Sequence, residues 1–534
     1  MEYDHSSTKE KWTLMMYMRD FDLMCTYAYA LRVSNKLSAE NIDDILSEME
    51  RKGIYNPRNG GSTFTGNFKS IQIAWYMFGY YHKAREQGKE KKMVFSPLGN
   101  LLLDNLTDRD KVSKIFATML FANGFRQPFS QMSAAFNIFA YRLIFRLLRE
   151  ERLDGKLYDD EVFYLAMFTK VITEETYEEL VQDILKLRSR DPKEKYQEFK
   201  RNERVCGLAC HEWRYTKGLM EAAGILDLHG GEWIGDLTYG TLNPKTGKPN
   251  AIRKYRTEYV TLATDLVPLV DKLLEAYPYY AKPYPDEECA LKFNNNIVLE
   301  LYSFYPPELL EELGMDTEED KAIADMLKKA TDINYYSREE TEGGRKFEVA
   351  MKDAFNMFTD VEAERIAGAG NPDIECIYYM ESGDVKKFDI EAKARKIKLI
   401  EMNPRRLRDH RIMIHSKYTM IVTPNYTIGV LKDIADEEAV IVKSASLANY
   451  IYQSILKNGR EISYTALDQI IQSNIGKDIT DIINTYVSDH FGHAVEDLKV
   501  KKSPPISIEM DVPHQSTGYT TLPRQKYYID STDN

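Results

Sequence analysis

The chain has 534 residues, 43% of them hydrophobic and 12% aromatic, with a formal net charge of −12. A chain of this length is too long to fold around one hydrophobic core, so several domains are predicted. No apolar run reaches the roughly 18 residues that span a bilayer, and five scattered cysteines argue against a disulfide framework. The polar start, Met1–His5, lacks the profile of a secretion signal, so a reduced cytoplasmic setting is expected.

The acidic total does not exclude a nucleic-acid partner, because local basic stretches decide contacts. Residues 391–417 hold nine Lys or Arg and three Asp or Glu, and residues 186–217 hold ten and five. The acidic excess lies elsewhere, for example in residues 308–320 and 433–438. Two basic surfaces are therefore expected on an acidic chain.

The first region, residues 1–285, is predicted to be rich in helices with short β interruptions. Residues 41–53 show apolar steps of three and four, as an amphipathic helix does, and residues 65–83 are a second candidate helix. Residues 93–103 then indicate a short strand, a Pro-Leu-Gly-Asn turn at 97–100 and an apolar helix start. This order is typical of a winged-helix unit.

A second such unit is predicted from Tyr158 onward. Acidic residues 159–161 suit a helix N-terminus, and Thr173 opens a helix with the pattern of a capping box. In small DNA readers a helix enters the major groove while a basic wing touches the backbone. We therefore expect DNA contacts from Arg214, Lys217, Lys245, Lys248 and Arg253. Simple solvation of a loop and a helix start is the alternative for the basic side chains near residues 245–256.

A Pro- and Tyr-rich break at 277–285 marks a domain boundary. Residues 286–335 are predicted as a helical linker, 336–503 as the last domain and 504–534 as a polar tail. The last domain shows the order αββαβαβα, which is typical of an α/β sheet flanked by helices. Its elements are expected at 338–358, 374–380, 387–390, 407–414, 418–424, 439–442, 447–457 and 464–475, with a further helix between the last two strands.

The most informative stretch is Pro372-Asp373 followed, one hairpin later, by Glu391-Ala392-Lys393. Side chains alternate along a strand, so Glu391 and Lys393 project to one side. A hairpin would bring Asp373 close to Glu391. Two carboxylates and an ammonium can hold Mg²⁺ beside a phosphate, because Mg²⁺ prefers few protein oxygens completed by water and phosphate. The metal can then activate water, and Lys393 can orient that water or bind the phosphate.

Neighbouring polar residues extend this candidate site. Glu348, on the predicted helix ahead of the hairpin, is a possible third carboxylate, with a solvated helix acid as the alternative. Glu375 and Asp389 share faces with the key acids and are held in reserve. His410 and His415 are candidates for phosphate or water contacts, although capping a basic helix is the commoner role. The arginines expected to follow DNA phosphates are Arg405, Arg406, Arg408 and Arg411, with plain solvation of a basic helix as the alternative.

Two metal or nucleotide sites are weaker hypotheses. Cys206, Cys210 and His211 have the spacing C-x3-C-H, but no second ligand pair follows nearby, which disfavours structural zinc. His229-Gly230-Gly231 is not followed by Lys-Ser/Thr, so a P-loop ATPase is unsupported.

The hairpin motif resembles that of the PD-(D/E)xK nuclease superfamily, and the wider arrangement resembles Type IIS restriction endonucleases, in particular the AlwI-like family. The resemblance rests on Phe347-Glu348, the stretch 370–375, the motif Glu391-Ala392-Lys393, the Pro-Leu-Gly-Asn wing and the stretch 214–219. It implies a multidomain α+β fold: a helix-rich, winged-helix DNA-recognition region, a helical linker and a C-terminal α/β restriction-endonuclease-like domain.

The resemblance also implies a reaction. A short asymmetric site in double-stranded DNA would be bound and the DNA cut at a fixed distance outside it, with Mg²⁺, for which Mn²⁺ is expected to substitute. Asp373 and Glu391 would bind the metal, Lys393 would align water and Glu348 would assist. One active site cuts one strand, so a transient homodimer through the C-terminal domain is expected for double-strand cleavage.

Three other functions stay open from the sequence. One is a site-specific nicking endonuclease, and another is a sequence-specific DNA-binding protein with an inactive nuclease fold. The complete Asp/Glu/Lys set disfavours the inactive protein. The last is a nuclease that acts in repair or on RNA.

Overall fold

Two large hydrophobic cores, and a smaller cluster on the second face of the C-terminal sheet, organise this computed structural model. The structure describes residues 3–14, 20–34, 39–54, 70–81, 93–125, 135–240, 247, 251–283, 301–315, 317–338, 343–366, 371–395 and 397–491. One core draws its buried side chains from residues 12–313, and the other from residues 327–491. The helix Ser444–Asn458 of the second unit also contacts the first region, since its Tyr452 hydroxyl donates to the Ser303 carbonyl at 2.8 Å.

The first region is mostly helical. Short 3-10 turns lie at Thr8–Glu10, Glu151–Leu153, Ala166–Phe168 and Thr264–Leu266. Its helices are α1 Phe21–Ser34, α2 Ala39–Arg51, α3 Ser70–Trp75, α4 Pro97–Asp104, α5 Arg109–Phe121, α6 Ala140–Leu148, α7 Asp159–Tyr164, α8 Glu174–Arg188, α9 Pro192–Arg201, α10 Glu203–Ala222, α11 Val267–Ala276 and α12 Pro307–Glu312. Among all the helices that the structure describes, none is both long and apolar enough to cross a membrane.

Small antiparallel sheets lie between these helices. Strands β1 (Gly79–Tyr81) and β2 (Met93–Phe95) form a pair. A three-stranded sheet has the order β3-β7-β4, from Lys156–Tyr158, Tyr259–Leu262 and Leu226–His229. Strands β5 (Trp233–Thr238) and β6 (Ile252–Arg256) form a hairpin that packs on α9 and α10.

Helix starts in this region agree with the sequence signals in two cases and differ in one. Thr173 caps α8, and Asp159–Glu161 form the first turn of α7, as expected. The Pro-Leu-Gly-Asn segment is a correction: Pro97 begins α4, capped by the Ser96 hydroxyl, which accepts from the Gly99 N–H at 2.9 Å. Proline suits this position because its missing N–H would be unpaired there. The segment is therefore a buried helix start and not a wing.

The second predicted helix of this region is also shorter than expected. Within 65–83, the described residues form α3 and then β1, with the turn at Met77 in between. Met77 has φ of 68°, which interrupts any continuous helix. The winged-helix assignment of the region as a whole stays a prediction.

The second core is built around a five-stranded mixed sheet with the order β12-β11-β10-β9-β8. Its strands are β8 Val361–Arg365, β9 Ile374–Tyr379, β10 Val385–Ala392, β11 Thr419–Thr423 and β12 Ala439–Lys443. The helices around it are α13 Glu318–Tyr336, α14 Gly343–Phe355, α15 Pro404–Ile414, α16 Ile428–Ile434, α17 Ser444–Asn458, α18 Thr465–Gln472 and α19 Thr480–His490.

Both faces of this sheet are covered by helices. Strands β8, β9 and β10 are antiparallel neighbours, while β10, β11 and β12 run parallel, with crossovers through α15 and α16. One face packs Phe388 and Ile390 against α14 and α17, and the other packs Ile421 and Ile441 against α15 and α16. This three-layer α/β arrangement agrees with the architecture predicted for the last domain.

The structure adds to the predicted elements of this domain. It contains β8 and α19, which the sequence analysis did not identify, and it includes the expected helix between the last two strands as α16. Helix α13 lies in the stretch predicted as linker, yet its Leu327, Ala330 and Ile333 belong to the second core. Part of that stretch is therefore an integral layer of the C-terminal unit. The predicted tail, 504–534, lies outside the described residues.

Candidate active site

The β9–β10 hairpin brings the three motif residues together. Asp373 directly precedes β9, Glu391 lies near the end of β10, and Lys393 follows that strand. The ladder pairs Ile390 with Ile374, so Asp373 lies beside Glu391 one step further along. The Ala392 N–H donates to Asp373 Oδ2 at 2.8 Å, which fixes the aspartate against the neighbouring strand.

Lys393 places a cation between the two carboxylates. Its Nζ is 2.9 Å from Asp373 Oδ2 and 2.5 Å from Glu391 Oε2. Burial lowers the pKa of Lys393, but the Glu391 and Asp373 carboxylates outweigh it, so the pKa is raised overall. Burial raises the pKa of Asp373, and Lys393 opposes part of that rise. The ammonium is therefore charged at neutral pH and is held by two acids.

His410 fixes the other oxygen of Glu391. Its Nδ1 lies 2.6 Å from Glu391 Oε1, and both side chains are only 1% exposed. Arg406 Nε donates to His410 Nε2 at 3.3 Å. Because Nε2 accepts, the imidazole proton is assigned to Nδ1, which donates to Glu391. The structure thus places His410 as a positioning residue for Glu391, a role different from both the phosphate or water contact for which it was a candidate and the commoner capping role.

Glu348 lies at the edge of the site and is paired. It projects from α14, and its Oε2 accepts from Arg365 Nε on β8 at 2.5 Å. Its negative charge contributes to the raised pKa of Asp373, behind the effects of burial, Lys393 and Glu391. The expected third carboxylate is therefore near the site, with its charge balanced by an arginine that sequence analysis missed.

The two reserve acids are engaged differently. Glu375 forms an ion pair with Lys387 at 2.7 Å, across the hairpin. Asp389 is fully buried, its Oδ1 accepts from the Ser416 hydroxyl, and its Oδ2 has no hydrogen-bond partner among the residues that the structure describes. Burial raises the pKa of Asp389 to about 7. Neither residue contacts Lys393, so neither belongs to the central triad.

The arginines of helix α15 that were predicted to contact DNA phosphates fall into two groups. Arg405 and Arg406 are exposed, whereas Arg411 is buried and pairs with Glu437 at 2.7 Å. Arg408 is exposed and also contacts Glu437. Arg411 therefore stabilises the helix on the sheet, a correction to its expected DNA contact. His415 ends the helix in the left-handed conformation, with φ of 57°, and is exposed.

The site fits a hard divalent cation by its donor chemistry. Within the described residues, no three His, Cys, Asp or Glu side chains are grouped as metal ligands. Mg²⁺ needs only one or two protein carboxylates, because water and phosphate complete its shell. Asp373 and Glu391 provide two, already close enough to share one ammonium. The Lys393 ammonium already lies at a position where these two carboxylates stabilise a positive charge.

The N-terminal candidates for DNA contact separate clearly. Lys217 is buried on α10, and its Nζ pairs with Asp159 at 2.6 Å and Glu258 at 2.8 Å. These carboxylates leave its ammonium no access to a phosphate, so the expected DNA contact of Lys217 is corrected to a structural ion pair. Lys245 and Lys248 lie outside the described residues.

Arg253 and Arg214 remain as partly accessible cations of this region. Arg253 lies on β6, and its Nε donates to His211 Nδ1 on α10 at 2.5 Å. Its guanidinium carbon lies 5.9 Å from the ring centroids of both Tyr215 and Tyr239. Sequence reasoning named Arg253 but missed this His and Tyr support, because α10 and the hairpin are distant in the chain.

The hypothesis of a zinc site on α10 receives no support. Cys206 and Cys210 are buried, and burial raises the pKa of each thiol to about 12. Zinc binds the thiolate form. His211 instead accepts from Arg253.

Comparisons with known proteins give a consistent family. The family described as "Type II restriction endonuclease HgaI, N-terminal domain" matches residues 7–277. The Type II restriction enzyme HgaI of Avibacterium volantium is 36% identical over 490 residues, which cover 90% of this chain and 98% of that protein. The narrower AlwI-like resemblance stays a prediction.

Solved structures give a much weaker likeness. The restriction endonuclease FokI matches 88% of this chain and 100% of its own, with 10% identity and a TM-score of 0.25. FokI bound to DNA gives the same identity and TM-score, over 88% of this chain and 99% of its own. Scores this low do not establish a shared fold.

Proposed function

Because this chain belongs to the HgaI family of Type II restriction endonucleases, we propose that it is a Type IIS, Mg²⁺-dependent endodeoxyribonuclease of the PD-(D/E)xK kind. It binds a short asymmetric sequence in double-stranded DNA and hydrolyses phosphodiester bonds at a fixed distance outside that sequence. The observation that carries the proposal is the contact of one ammonium, Lys393, with the two carboxylates Asp373 and Glu391.

Each residue of the site has a chemical task in this proposal. Asp373 and Glu391 would hold Mg²⁺, or Mn²⁺ in its place, which supplies charge neutralisation and an activated water. Lys393, released from one carboxylate, orients water or binds the phosphate undergoing attack. His410 keeps Glu391 Oε1 fixed, and Glu348 with Arg365 sets the charge at the rim of the site.

Recognition and cleavage are divided between the two cores. Exposed Arg405 and Arg406 on α15 lie beside the cleavage site and suit DNA phosphates, which sequence-independent contacts use for positioning. In this proposal the DNA sequence is recognised by residues 7–277, the region that matches the family. A single triad cuts one strand, so cleavage of both strands uses a transient homodimer; without it the product is a nick.

Isosteric variants at the hairpin test the catalytic proposal. Asp373→Asn and Glu391→Gln are expected to abolish Mg²⁺-dependent cleavage of plasmid and phage DNA while specific binding in Ca²⁺ persists. Glu375→Gln is the matched control, since Glu375 lies on the same face of β9 and pairs with Lys387 instead. Cleavage by either triad variant at the parent rate would refute the assignment.

The products test the remaining parts of the proposal. Sequencing the ends of digested DNA is expected to show one motif at a constant offset, and variable offsets would refute a Type IIS enzyme. The rate of double-strand cleavage is expected to rise with protein concentration faster than first order. A first-order rate for both strands would refute the dimer, and a DNA-bound chain with no products would indicate the inactive alternative.

A further inference from the structure

Arg406 differs from the other arginines of helix α15 in the partner that it holds. Each of the other three is ion-paired with a carboxylate, and the pairs are Arg405–Asp409, Arg408–Glu437 and Arg411–Glu437. Arg406 has no carboxylate partner among the residues that the structure describes, and its Nε donates to the neutral ring of His410. Its positive charge is therefore not balanced by an acid of the protein.

The outer edge of the Arg406 guanidinium is available to a second partner. Arg406 is exposed, and its two terminal nitrogens donate no hydrogen bond to any residue that the structure describes. These nitrogens form a planar fork of donors that matches two oxygens of a phosphate. The residue also lies in the first turn of α15, capped by Asn403, where the helix dipole favours an anion. Arg406 can thus hold His410 through Nε and a phosphate through its outer edge at the same time.

A continuous series of contacts connects Arg406 to the carboxylates of the candidate metal site. Arg406 and His410 are neighbours on the helix because they are four residues apart. His410 Nδ1 donates to Glu391 Oε1 at 2.6 Å, and Glu391 Oε2 lies 2.5 Å from Lys393 Nζ, which also contacts Asp373. A single imidazole ring therefore separates an exposed cation from a buried carboxylate.

Hydrogen bonds in such a series strengthen one another. A donor at His410 Nε2 polarises the ring and makes Nδ1–H a better donor to Glu391. An exposed arginine loses rotamer freedom when it holds one contact, so its bond of 3.3 Å to His410 is weak by itself. A phosphate bound to the outer edge would restrain the same guanidinium and favour that bond. Binding at the surface would thereby help to fix the orientation of Glu391.

We infer that Arg406 couples DNA binding to metal binding: a backbone phosphate beside the cleaved bond holds Arg406 against His410, which holds Glu391 for the metal. Arg406 is a positioning residue, because it acts on the metal carboxylate through His410. The inference rests on the proposed function and adds to it a regulatory link between its two ligands. Coupling between two ligands is reciprocal, so the metal must raise the affinity for DNA by the factor by which DNA raises the affinity for the metal.

The test measures DNA affinity by fluorescence anisotropy, with the full chain and a duplex that contains the recognition motif and the cut position. Ca²⁺ takes oxygen ligands as Mg²⁺ does, and the ratio of the dissociation constants in EDTA and in saturating Ca²⁺ gives the coupling factor. Part of this factor comes from DNA phosphate as a direct metal ligand, so the variants decide. Arg406→Gln is expected to lower the coupling factor about 10-fold, as the loss of a partner that orients a ligating carboxylate does.

Two further variants separate the contact with His410 from the effect of charge alone. Arg405→Gln removes the same charge one residue away from a side chain that does not contact His410, so it is expected to weaken DNA binding equally with and without Ca²⁺. His410→Phe is expected to lower the coupling factor as Arg406→Gln does, and the double variant is expected to show no further loss. Losses that add in the double variant would refute action through His410.

A change in the DNA makes the test independent of protein folding. A methylphosphonate replaces one backbone phosphate by a neutral group, and it is introduced at each position around the cut site in turn. One position is expected to lower the coupling factor of the parent chain while leaving that of Arg406→Gln unchanged. The absence of any such position would overturn the inference.

The outcomes separate this inference from the function on which it rests. If the parent chain does not cut DNA in Mg²⁺, the proposed function fails and the inference falls with it. If the parent cuts DNA and Arg406→Gln keeps the parent coupling factor, the proposed function stands and the role of Arg406 is refuted. An equal decrease of the coupling factor in Arg405→Gln would refute it as well, because charge alone would then explain the effect.

Discussion

Replacing His410 tests whether a buried side chain outside the triad controls the metal site. In His410→Phe a ring of similar size remains, but Glu391 Oε1 loses the donor that lies 2.6 Å away. Glu391 is 1% exposed, so water cannot replace that donor without a local rearrangement. A hydrogen bond to a charged group contributes about 1.5–3 kcal/mol, which corresponds to a factor of about 10 to 150.

The expected result is a shift in the dependence of cleavage on Mg²⁺. Partners that orient a metal-ligating carboxylate typically change metal affinity or activity by about 10–100-fold. The Mg²⁺ concentration giving half-maximal single-turnover cleavage is therefore expected to rise by about that factor in His410→Phe. DNA binding measured in Ca²⁺-free buffer is expected to stay at the parent level, because the recognition region is unchanged.

Two further variants decide the cause. Asparagine places an amide donor near the position of imidazole Nδ1, so His410→Asn is expected to recover part of the Mg²⁺ response. His415→Asn is the control on the same helix, since His415 is exposed at its C-terminal end and asparagine tolerates the left-handed conformation there. Equal Mg²⁺ responses in the Phe and Asn variants at 410 would refute the hydrogen-bond explanation.

The remaining predictions concern charge in and around the two cores. Glu348→Gln breaks the pair with Arg365 but leaves the triad intact. The kcat is therefore expected to fall about 10-fold, far less than in Asp373→Asn. An equal loss of kcat in the two variants would make Glu348 a metal ligand. Lys217→Met leaves the buried Asp159 carboxylate without its ammonium partner. The free energy of unfolding, measured by urea denaturation, is therefore expected to fall by about 3–5 kcal/mol. Unchanged stability together with weaker DNA binding would instead support the predicted contact of Lys217 with DNA. Because the pKa of Asp389 is raised to about 7, the stability it provides is present below about pH 4 and lost as the pH rises through 7. Asp389→Asn is therefore expected to stabilise by up to about 4 kcal/mol at pH 8 and little at pH 4; the same difference at both pH values would contradict the raised pKa.

The triad was predictable from sequence because its geometry is local. Asp373 and Glu391 are joined by one hairpin, and strand alternation alone places Glu391 and Lys393 on one side. Strand β8 was missed because Val361–Arg365 is only five residues long, too short for its alternation of apolar and charged residues to stand out from the surrounding charged chain. Helix α13 was assigned to a linker because its acidic surface is easier to recognise than its core-facing residues.

Roles that depend on distant partners could not be predicted. Lys217 has the charge of a DNA contact, and only the fold shows that Asp159 and Glu258 enclose it. The same limit applies to His410, because a helix must fold back over the sheet before its imidazole meets Glu391. Arg365 and His211 acquire their partners in the same way, across elements separated in the chain.

The hairpin register also limits how the gene can change. Glu391 aligns with Ile421 in the parallel ladder, and the Lys393 N–H donates to the Val422 carbonyl at 2.9 Å. Inserting or deleting one residue within β10 would turn Glu391 and Lys393 to the opposite face and present Ala392 to the phosphate. Length variation is tolerable instead in the exposed turn at 381–384, where Gly383 adopts φ of 87°. Descendants of this gene can therefore vary in length at the tip of the hairpin, while insertion or deletion of a single codon within β10 would inactivate cleavage.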